Sequence, residues 1–315
     1  MVYETFLHTI QSMVQKRLEG KANVTLQQVL KNNGILLDGL SISAPASRMA
    51  PTVYLNSYYD EAEKGLPLSI ITDQIVLLYE TDTGIQEEEA LRLLEFQNVR
   101  SQIAYKLIHA QDNQQLLMDL PHIRYLDLAI VFYFIVNENK DGQMTALVRN
   151  EHLKIWGITE ETLIQLATEN TPRLLPASLI PLEETLEQLD TFQLLPQEEL
   201  PSVHLKVLTN NRGINGAACL LYPEILKNFA DEMQDDIILI PSSIHEVLIV
   251  PKKQALPLQD LNAMIQYINQ TEVPPEDRLS NHVYCYSRSQ NCLYIPSDSS
   301  FTPAFGSLGE IKNLQ

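Results

Sequence analysis

The chain has 315 residues, of which 45% are hydrophobic and 20% are charged, a composition typical of a folded protein with about two domains. Its 40 acidic and 22 basic residues give a formal net charge of −18. Such a charge repels nucleic-acid backbones, which bind clustered Lys and Arg, so we expect no nucleic-acid partner. It weakly favours basic or cationic partners.

The sequence carries no signal for export or for membrane insertion. The first residues, Met1 to Phe6, lack the basic residues and the apolar run of a signal peptide. The most apolar segment, Leu126–Val136, contains Asp127 and falls well short of the roughly 20 residues that span a bilayer. We therefore expect a cytoplasmic protein that does not associate with a membrane.

The first third of the chain predicts helices around one hairpin. Apolar residues at helical spacing indicate a helix over Val2–Leu18. Two extended stretches, Val24–Leu30 and Ile35–Ser43, flank Asn33-Gly34, and both turn residues tolerate the positive φ angles of a tight hairpin turn. Further predicted elements are helices over Val53–Glu63, Leu66–Tyr79 and Gln86–Gln97, a strand over Ile103–Ile108 and a helical turn over Asn113–Leu120.

A second hairpin is predicted in the middle of the chain. Leu126–Val136 is rich in β-branched and aromatic residues, and we expect it to pair with Met144–Val148 across a connection that contains Asp141-Gly142. Thr159 then provides the N-cap of a further helix, which Pro172 is expected to end.

An unusual composition follows, because Lys and Arg are absent between Leu174 and Val203 while Asp, Glu and Pro are frequent. This predicts an acidic linker with one short helix near Leu182–Leu189. The predicted organisation is an N-terminal α+β domain over residues 1–175, an acidic Pro-containing linker over 176–202, a C-terminal α+β domain over 203–296 and a flexible tail over 297–315.

The last third alternates short strands with helices. Its predicted elements are strands over His204–Thr209 and Ala217–Leu221, a helix over Pro223–Met233, strands over Asp236–Ile240 and Glu246–Val250, a helix over Leu258–Asn269, and a hairpin of Val283–Tyr286 with Leu293–Ile295. A hairpin followed by a helix recurs at about residues 24–63, 126–170 and 204–233. The predicted fold class is α+β, with repeated β-hairpin–helix units in two domains. The recurrence fits either an internal duplication or a common supersecondary unit.

Several motifs resemble a known family. They are Val53-Tyr-Leu-Asn56, Leu126-Asp-Leu-Ala129, His152-Leu-Lys-Ile-Trp156-Gly157, Ala167-Thr-Glu-Asn170-Thr-Pro-Arg173, Gly216-Ala-Ala-Cys-Leu-Leu-Tyr222-Pro223 and Ile240-Pro-Ser-Ser243-Ile-His245-Glu246. Across most of the chain they resemble an uncharacterised domain-of-unknown-function family of clostridial bacteria, and more loosely the uncharacterised YtpQ-like family. The resemblance implies a bacterial cytoplasmic protein and brings no activity, cofactor or catalytic residue with it.

The most suggestive candidate site combines two predicted turns. Its residues are Ser242, Ser243, His245 and Glu246 in one turn, with Asn210 and Arg212 in the facing one. Hydroxyls, an imidazole and a carboxylate are the groups of a nucleophile, a base and an orienting acid. However, triad members ordinarily converge from distant positions, and no Gly-x-Ser-x-Gly motif is present. The same residues fit a locally capped turn, in which a hydroxyl binds a backbone N–H, or a ligand-binding loop.

Two further pairs of residues are candidates for a ligand or partner surface. His152 and Trp156 are four residues apart, so on a helix they share a face and offer stacking to a ligand, or else they form part of the core. Asn170 and Arg173 lie near the predicted end of a helix. Asn170 fits a helix cap, and Arg173 fits a carboxylate, a phosphate or one of the many acidic side chains.

Motifs for metals and cofactors are missing from the sequence. It contains no His-Glu-x-x-His, no Cys-x-x-Cys and no glycine-rich phosphate loop, so we predict no metal and no cofactor. Cys285 and Cys292 flank a predicted turn, and we expect them to face each other across a hairpin as reduced thiols.

By elimination, the sequence favours a non-enzymatic protein-interaction or regulatory protein whose partner is another protein. The alternative is an enzyme or a small-molecule-binding protein of unrecognised type that uses the Ser242–Glu246 loop. The two hypotheses differ in geometry. An enzyme needs these polar groups to converge in a concave pocket with perturbed pKa values, whereas in a binding protein they cap turns beside an exposed apolar patch.

Overall fold

The computed structural model of the chain describes residues 1–44, 52–81, 93, 95–138, 143–182, 184, 205–296 and 304–305. The chain divides into two compact units, Met1–Asn98 and Val99–Gln315. This division differs from the boundary near residue 175 that the acidic composition predicts. Both units contain helices and antiparallel sheets, which confirms the predicted α+β class.

The first unit combines helices with a three-stranded antiparallel sheet. Its elements are α1 (Tyr3–Arg17), β1 (Asn23–Leu30), β2 (Leu36–Ser43), β3 (Thr52–Tyr54), α2 (Asn56–Glu63) and α3 (Leu68–Thr81). The strand order is β1-β2-β3. The core brings Phe6 and Ile10 of α1 against Ile71 and Ile75 of α3 and Leu40 of β2, all fully buried.

Local turn chemistry explains the hairpin of this unit. Asn33 and Gly34 have φ angles of 58° and 70°, as the Asn-Gly pattern predicts. The predicted helix over Val53–Glu63 is wrong at its start, because Val53 pairs with Leu40 in the sheet and the helix begins only at Asn56. Most of the predicted helix over residues 86–97 lies outside the described residues, which contain a short helix α4 (Phe96–Val99).

The second unit begins with a four-stranded antiparallel sheet. Its elements are β4 (Ile103–His109), α5 (Gln114–Leu117), β5 (His122–Tyr125), β6 (Leu128–Glu138), β7 (Gln143–Leu147), α6 (Asn150–Trp156) and α7 (Glu160–Leu174). The central strand β6 pairs with β4 on one side and with β5 and β7 on the other. It is buried without alternation from Leu128 to Ile135, which explains why its sequence is a continuous apolar run.

A seven-stranded antiparallel sheet completes this unit. Its order is β14-β13-β12-β10-β11-β9-β8, from β8 (Ala177–Pro181), β9 (Lys206–Asn210), β10 (Ile237–Ile240), β11 (Val247–Pro251), β12 (Tyr284–Ser287), β13 (Cys292–Tyr294) and β14 (Ala304–Phe305). Two helices accompany it, α8 (Ile225–Met233) and α9 (Leu258–Thr271). Leu261 and Ile265 of α9 pack on Ile238, Ile240 and Val250 of the sheet.

The acidic linker prediction is wrong for Ala177–Pro181. This segment is an edge strand that pairs with β9, so residues on both sides of the predicted boundary belong to one sheet. Its Ser, Leu and Ile lie between two prolines, a pattern that an edge strand accepts. Most of the predicted helix near Leu182–Leu189, the rest of the predicted linker and most of the predicted tail lie outside the described residues.

The predicted strand over Ala217–Leu221 is also wrong. Gly216–Leu221 forms a fully buried 3₁₀ helix, and a short apolar run buried on all sides shows no periodicity that separates strand from helix. The third predicted hairpin–helix unit therefore contains no hairpin at this position, and the repeat is not confirmed. The helix that follows begins at Ile225, two residues after the predicted start at Pro223.

Candidate functional site

The two predicted turns of the candidate site do come together in the structure. The segment that follows β9 and the loop between β10 and β11 are adjacent because β9 pairs with β11. The Thr209 hydroxyl donates to the His245 carbonyl at 2.8 Å. Gly216 lies so close to this carbonyl that a Cβ on it would be 2.3 Å from the oxygen. A side chain larger than hydrogen does not fit at this position.

Both ring nitrogens of His245 are engaged. Nδ1 accepts from the backbone N–H of Asn215 at 3.3 Å, and Nε2 lies 3.3 Å from Oδ1 of Asp277. A neutral imidazole with its proton on Nε2 satisfies both contacts, since one nitrogen accepts and the other donates. Asp277 was not singled out by the sequence, because it is 32 residues from His245 in a loop with no motif. This histidine has no free nitrogen with which to accept a proton from a substrate.

The remaining residues of the loop cap turns. Ser243 is buried, and its Oγ accepts from the backbone N–H of His245 at 3.0 Å, so it is not poised to attack a substrate. The Ser242 carbonyl accepts from the Leu279 N–H at 3.1 Å. Glu246 is exposed at the start of β11, and the carboxylate beside His245 is that of Asp277.

Asn210 and Arg212 shape the facing loop. The Asn210 side chain donates to the Ile214 carbonyl at 2.8 Å and accepts from the Arg212 N–H at 2.9 Å, which closes the loop on itself. The Arg212 guanidinium pairs with Glu138 at the end of β6. The structure therefore brings Asn210 close to the His245 cluster and directs Arg212 to a separate ion pair.

Asn170 and Arg173 bind the backbone of the segment before β4. The Asn170 amide donates to the Arg100 carbonyl at 2.8 Å, and the Arg173 guanidinium donates to the Ser101 carbonyl at 2.8 Å. Thr171 between them accepts from the Tyr105 N–H at 3.1 Å. These contacts accompany a helix that runs through Pro172 to Leu174, beyond the end predicted from the proline.

His152 and Trp156 belong to an aromatic cluster. Their rings stack with centroids 5.2 Å apart, and Phe134 packs edge-on against both. Trp156 is buried, and His152 Nδ1 accepts from the Arg149 N–H at 3.0 Å, as in a helix N-cap. Burial, followed by the charge of Arg149, lowers the pKa of His152. The two rings pack against each other and against Phe134, so they do not form an open stacking face for a ligand.

A cluster that the sequence did not single out surrounds Asp127. Its carboxylate Oδ2 accepts from the Ser280 hydroxyl at 2.6 Å and from His282 Nδ1 at 3.1 Å, while Oδ1 accepts from the Tyr284 hydroxyl. These donors lie more than 150 residues away in sequence. The sequence signals at Asp127 were an acidic residue within an otherwise apolar segment and the Leu126-Asp-Leu-Ala129 motif of the family resemblance, and neither of them indicated these partners.

The hydrogen bonds set the pKa values in this cluster. Burial alone would raise the pKa of Asp127, but hydrogen bonds from His282, Ser280 and Tyr284 outweigh it and hold the pKa below its usual value. The hydrogen bond to Asp127 raises the pKa of His282 against the effect of its partial burial. Within the described residues, His282 Nε2 has no hydrogen-bond partner, and 56% of the side chain is exposed. In contrast to His245, it therefore keeps one ring nitrogen free within the described residues.

A polar cleft of about 480 Å³ lies at the end of the seven-stranded sheet near the C-terminus of α8. It is lined by Asp231, Gln234, Asp235, Asp236, Arg288 and Ser289. Asp235 and Asp236 accept backbone N–H groups from Lys253 and Arg288 at 2.8 and 3.1 Å. Arg288 uses Nε to bind Asp231 at 2.8 Å, and in the described part of the chain its two terminal nitrogens have no partner.

The cysteines are buried and reduced. Cys285 is paired in register with Tyr294, and Cys292 with Ser287, so the prediction that the two thiols face each other directly is wrong. Burial raises the pKa of Cys285 and Cys292, and that of Cys219 to about 12. Such thiols are poor nucleophiles because the thiolate is the reactive form.

Neither a metal-binding cluster nor a membrane-spanning helix occurs among the described residues. They contain no group of three or more His, Cys, Asp or Glu side chains arranged to hold a metal ion. Among the same residues, no helix combines the length and the apolar character required to cross a bilayer.

A known family model matches most of the chain. The model of DUF5688, a family of unknown function, matches residues 3–288. The chain belongs to the DUF5688 family. This confirms the resemblance to a domain-of-unknown-function family over nearly the whole chain. Comparisons of this DUF5688 chain with curated proteins and with solved structures gave no match.

Proposed function

We propose that this DUF5688 chain is a non-enzymatic interaction or regulatory protein whose partner is another protein. The observation that carries the proposal is the engagement of both ring nitrogens of His245, one by the Asn215 N–H and the other by Asp277. The candidate site predicted from sequence is thereby a braced pair of loops, with its hydroxyl and amide groups used to cap turns. This supports the binding hypothesis over nucleophilic catalysis at Ser242–Glu246.

The polar cleft is our candidate for the contact surface. Two of its three aspartates are bound by backbone N–H groups, whereas the terminal nitrogens of Arg288 are unused among the described residues. Lys253 adds an ammonium group whose side chain is 76% exposed, 3.8 Å from Asp235. The terminal nitrogens of Arg288 and the Lys253 ammonium therefore offer cationic donors at the cleft in a chain of net charge −18. Such a cleft suits a partner segment that presents an acidic side chain to Arg288, because guanidinium binds carboxylate through two parallel hydrogen bonds.

A charge-reversal experiment tests this proposal. The partner is captured by crosslinking in cells, identified, purified and titrated against the wild-type chain and against Arg288→Glu. We expect Arg288→Glu to weaken the complex by about tenfold or more, since it places like charges together. Arg212→Glu is the matched control, because Arg212 also pairs with one exposed carboxylate, that of Glu138, away from the cleft.

Several outcomes would overturn the proposal. No saturable partner, or equal loss of affinity in the two variants, contradicts it. A thermal-shift screen against metabolites covers the opposite case, because a ligand at 100 times its Kd adds about 2.7 kcal/mol of stability. A small-molecule hit abolished by a substitution in the Ser242–Glu246 loop would favour an enzyme or small-molecule-binding protein.

A second candidate function is favoured by His282 rather than by His245. His282 has the arrangement of a general base, with Nδ1 bound to a carboxylate and Nε2 free within the described residues. A hit in the thermal-shift screen that disappears in His282→Asn but survives in His245→Asn would support small-molecule binding or catalysis at this position.

We also propose a bacterial, cytoplasmic setting for the protein. Its support is the motif resemblance to clostridial proteins and to the YtpQ-like family, together with the acidic composition and the three reduced cysteines. Fractionation of the native host followed by immunodetection tests it. Recovery of the chain in the membrane or extracellular fraction would contradict the proposal.

A further inference from the structure

The turn between β5 and β6 adopts a conformation that its sequence disfavours. Tyr125 pairs with Leu128, so Leu126 and Asp127 are the two turn residues. Leu126 has a φ of 55°, in the left-handed region, where the Cβ of a non-glycine residue crowds the following carbonyl oxygen. Such strain persists only where the surrounding structure holds the backbone in place.

The Asp127 carboxylate supplies that restraint. It is mostly buried, with 17% of the side chain exposed, and it accepts three side-chain hydrogen bonds from the segment around β12. Ser280, which is buried, also accepts from the His282 N–H at 3.0 Å. The Ser280 carbonyl in turn accepts from Asn269 of α9 at 2.9 Å. The Asp127 carboxylate thus accepts from a segment that further hydrogen bonds hold in place.

Among these groups, only His282 changes charge near neutral pH, because the pKa of Asp127 lies below its usual acidic value. Tyr284 of β12 is fully buried, and its pKa is raised well above the usual value by burial and by Asp127, so it remains neutral. Tyr125 of β5 is buried beside it, and Asn269 of α9 is neutral. In the described part of the chain, Asp127 has no Lys or Arg within ion-pairing distance, and its one cationic partner is His282.

We propose that Asp127 and His282 form a pH-sensitive latch, which holds the Leu126–Asp127 turn against residues 280–284 while His282 is protonated. Loss of the proton removes the cationic donor but leaves the hydrogen bonds of Ser280 and Tyr284. The turn is then loosened rather than unfolded, and the disfavoured backbone of Leu126 promotes the opening. The exposed position of His282 gives solvent protons direct access to the latch.

The sign of the pH dependence follows from the two shifts. The pKa of His282 is raised above 6.5, so its contribution to stability is complete below 6.5 and disappears as the pH rises through the folded-state pKa. The pKa of Asp127 is lowered below 3.8, so its contribution is present above 3.8 and disappears as the pH falls through its folded-state pKa. The contribution of the latch to stability is therefore complete between pH 3.8 and pH 6.5 and falls on either side of this range.

Hydrogen exchange at one amide reports on the latch directly. The Ala110 N–H donates to the Asp127 carbonyl at 2.9 Å, whereas the Val148 N–H donates to Phe132 at 2.9 Å in the same sheet and serves as the internal reference. After correction for intrinsic exchange, we expect the protection of Ala110 relative to Val148 to fall between pH 6 and pH 9 in the wild type. The expected fall is about tenfold for each unit by which the His282 pKa is raised.

The matched variant is His282→Asn, whose amide provides a neutral donor near the position of Nδ1. It should show a constant Ala110-to-Val148 ratio across this range, and an equal pH dependence in wild type and variant would overturn the latch. His122→Asn controls for histidine titration in general, since His122 Nδ1 contacts the Leu120 carbonyl instead of a carboxylate. A His282 pKa at or below 6.5, measured by NMR in the wild-type chain, would also overturn the proposal.

Discussion

Among the histidine–carboxylate pairs of the second unit, His245–Asp277 and His282–Asp127 differ in which partner is central. At His245–Asp277 the histidine is central, because its ring and its carbonyl contact Asn215, Asp277 and Thr209. At His282–Asp127 the carboxylate is central, because it accepts three donors while the histidine stays half exposed with one free nitrogen.

The difference shows that proximity of a histidine to a carboxylate does not by itself define a functional pair. At the His245 pair, a backbone N–H engages one ring nitrogen and the Asp277 carboxylate engages the other, so the histidine acts as a spacer between two loops. The His282 pair leaves one nitrogen accessible and has shifted pKa values on both members, which are properties of sites that respond to protons. The pair at the candidate site predicted from sequence is the braced one, and the pair that we propose responds to protons lies outside every predicted candidate site.

The largest expected effect is that of Asp127→Ala. Removing this carboxylate leaves the buried Ser280 and Tyr284 hydroxyls without their acceptor, which typically costs about 1–3 kcal/mol for each hydroxyl. We expect Asp277→Ala to cost about 1 kcal/mol or less, since that carboxylate is 29% exposed and makes one contact of 3.3 Å with His245. Urea unfolding of the two variants at pH 7 measures the contrast. Equal losses of stability would break the comparison.

The second largest effect is expected for Gly216→Ala, which tests the close contact between Gly216 and the His245 carbonyl. The new Cβ would lie 2.3 Å from the His245 carbonyl oxygen and 2.1 Å from Thr209 Oγ1, so the loops must separate. Overpacking of this kind costs about 3 kcal/mol. Gly213→Ala in the same loop is the control, because its Cβ meets open space and only its φ of 64° opposes it, at about 1 kcal/mol. Thermal melts of both variants test this, and equal melting temperatures would contradict the close-approach argument.

Among the three principal variants, Asp127→Ala, Gly216→Ala and His245→Ala, the smallest effect is expected for His245→Ala. It removes an acceptor from the Asn215 N–H and the contact with Asp277, both partly exposed, for a cost of about 1–2 kcal/mol. The affinity for the partner, corrected for the folded fraction of the variant, should be unchanged, because the role of His245 is to connect the two loops. Denaturation and a binding titration on one preparation check both statements. A variant of normal stability that binds no partner would reverse the role assigned to His245.

Elements with a local chemical cause could be predicted from the sequence. The β1–β2 turn follows from the tolerance of Asn33 and Gly34 for positive φ, and the N-cap at Thr159 is confirmed by its acceptance of the Thr162 N–H at 3.3 Å. The strand Ala177–Pro181 could not be predicted. Its acidic and proline-rich surroundings indicate a linker, and its partner β9 lies beyond that predicted linker. The 3₁₀ helix at Gly216–Leu221 was missed because burial on every side leaves no period.

The candidate site also has features that could be predicted from the sequence and features that could not. Proximity of His245 to the Asn210 turn was predictable from strands expected on either side, whereas its role depends on Asp277 and Asn215. The Asp127 cluster had no local signal, because its three donors come from residues more than 150 positions away that meet it only after both sheets have formed.

The position of α7 against β4 has a consequence for the behaviour of the protein in concentrated solution. β4 is an edge strand of the four-stranded sheet, and its Tyr105 N–H is bound by the Thr171 hydroxyl instead of being open to another chain. An uncovered, apolar edge strand recruits other chains into intermolecular sheets. Aggregation of this protein is therefore expected to begin when α7 detaches and exposes Ile103–His109, well before the rest of the unit unfolds.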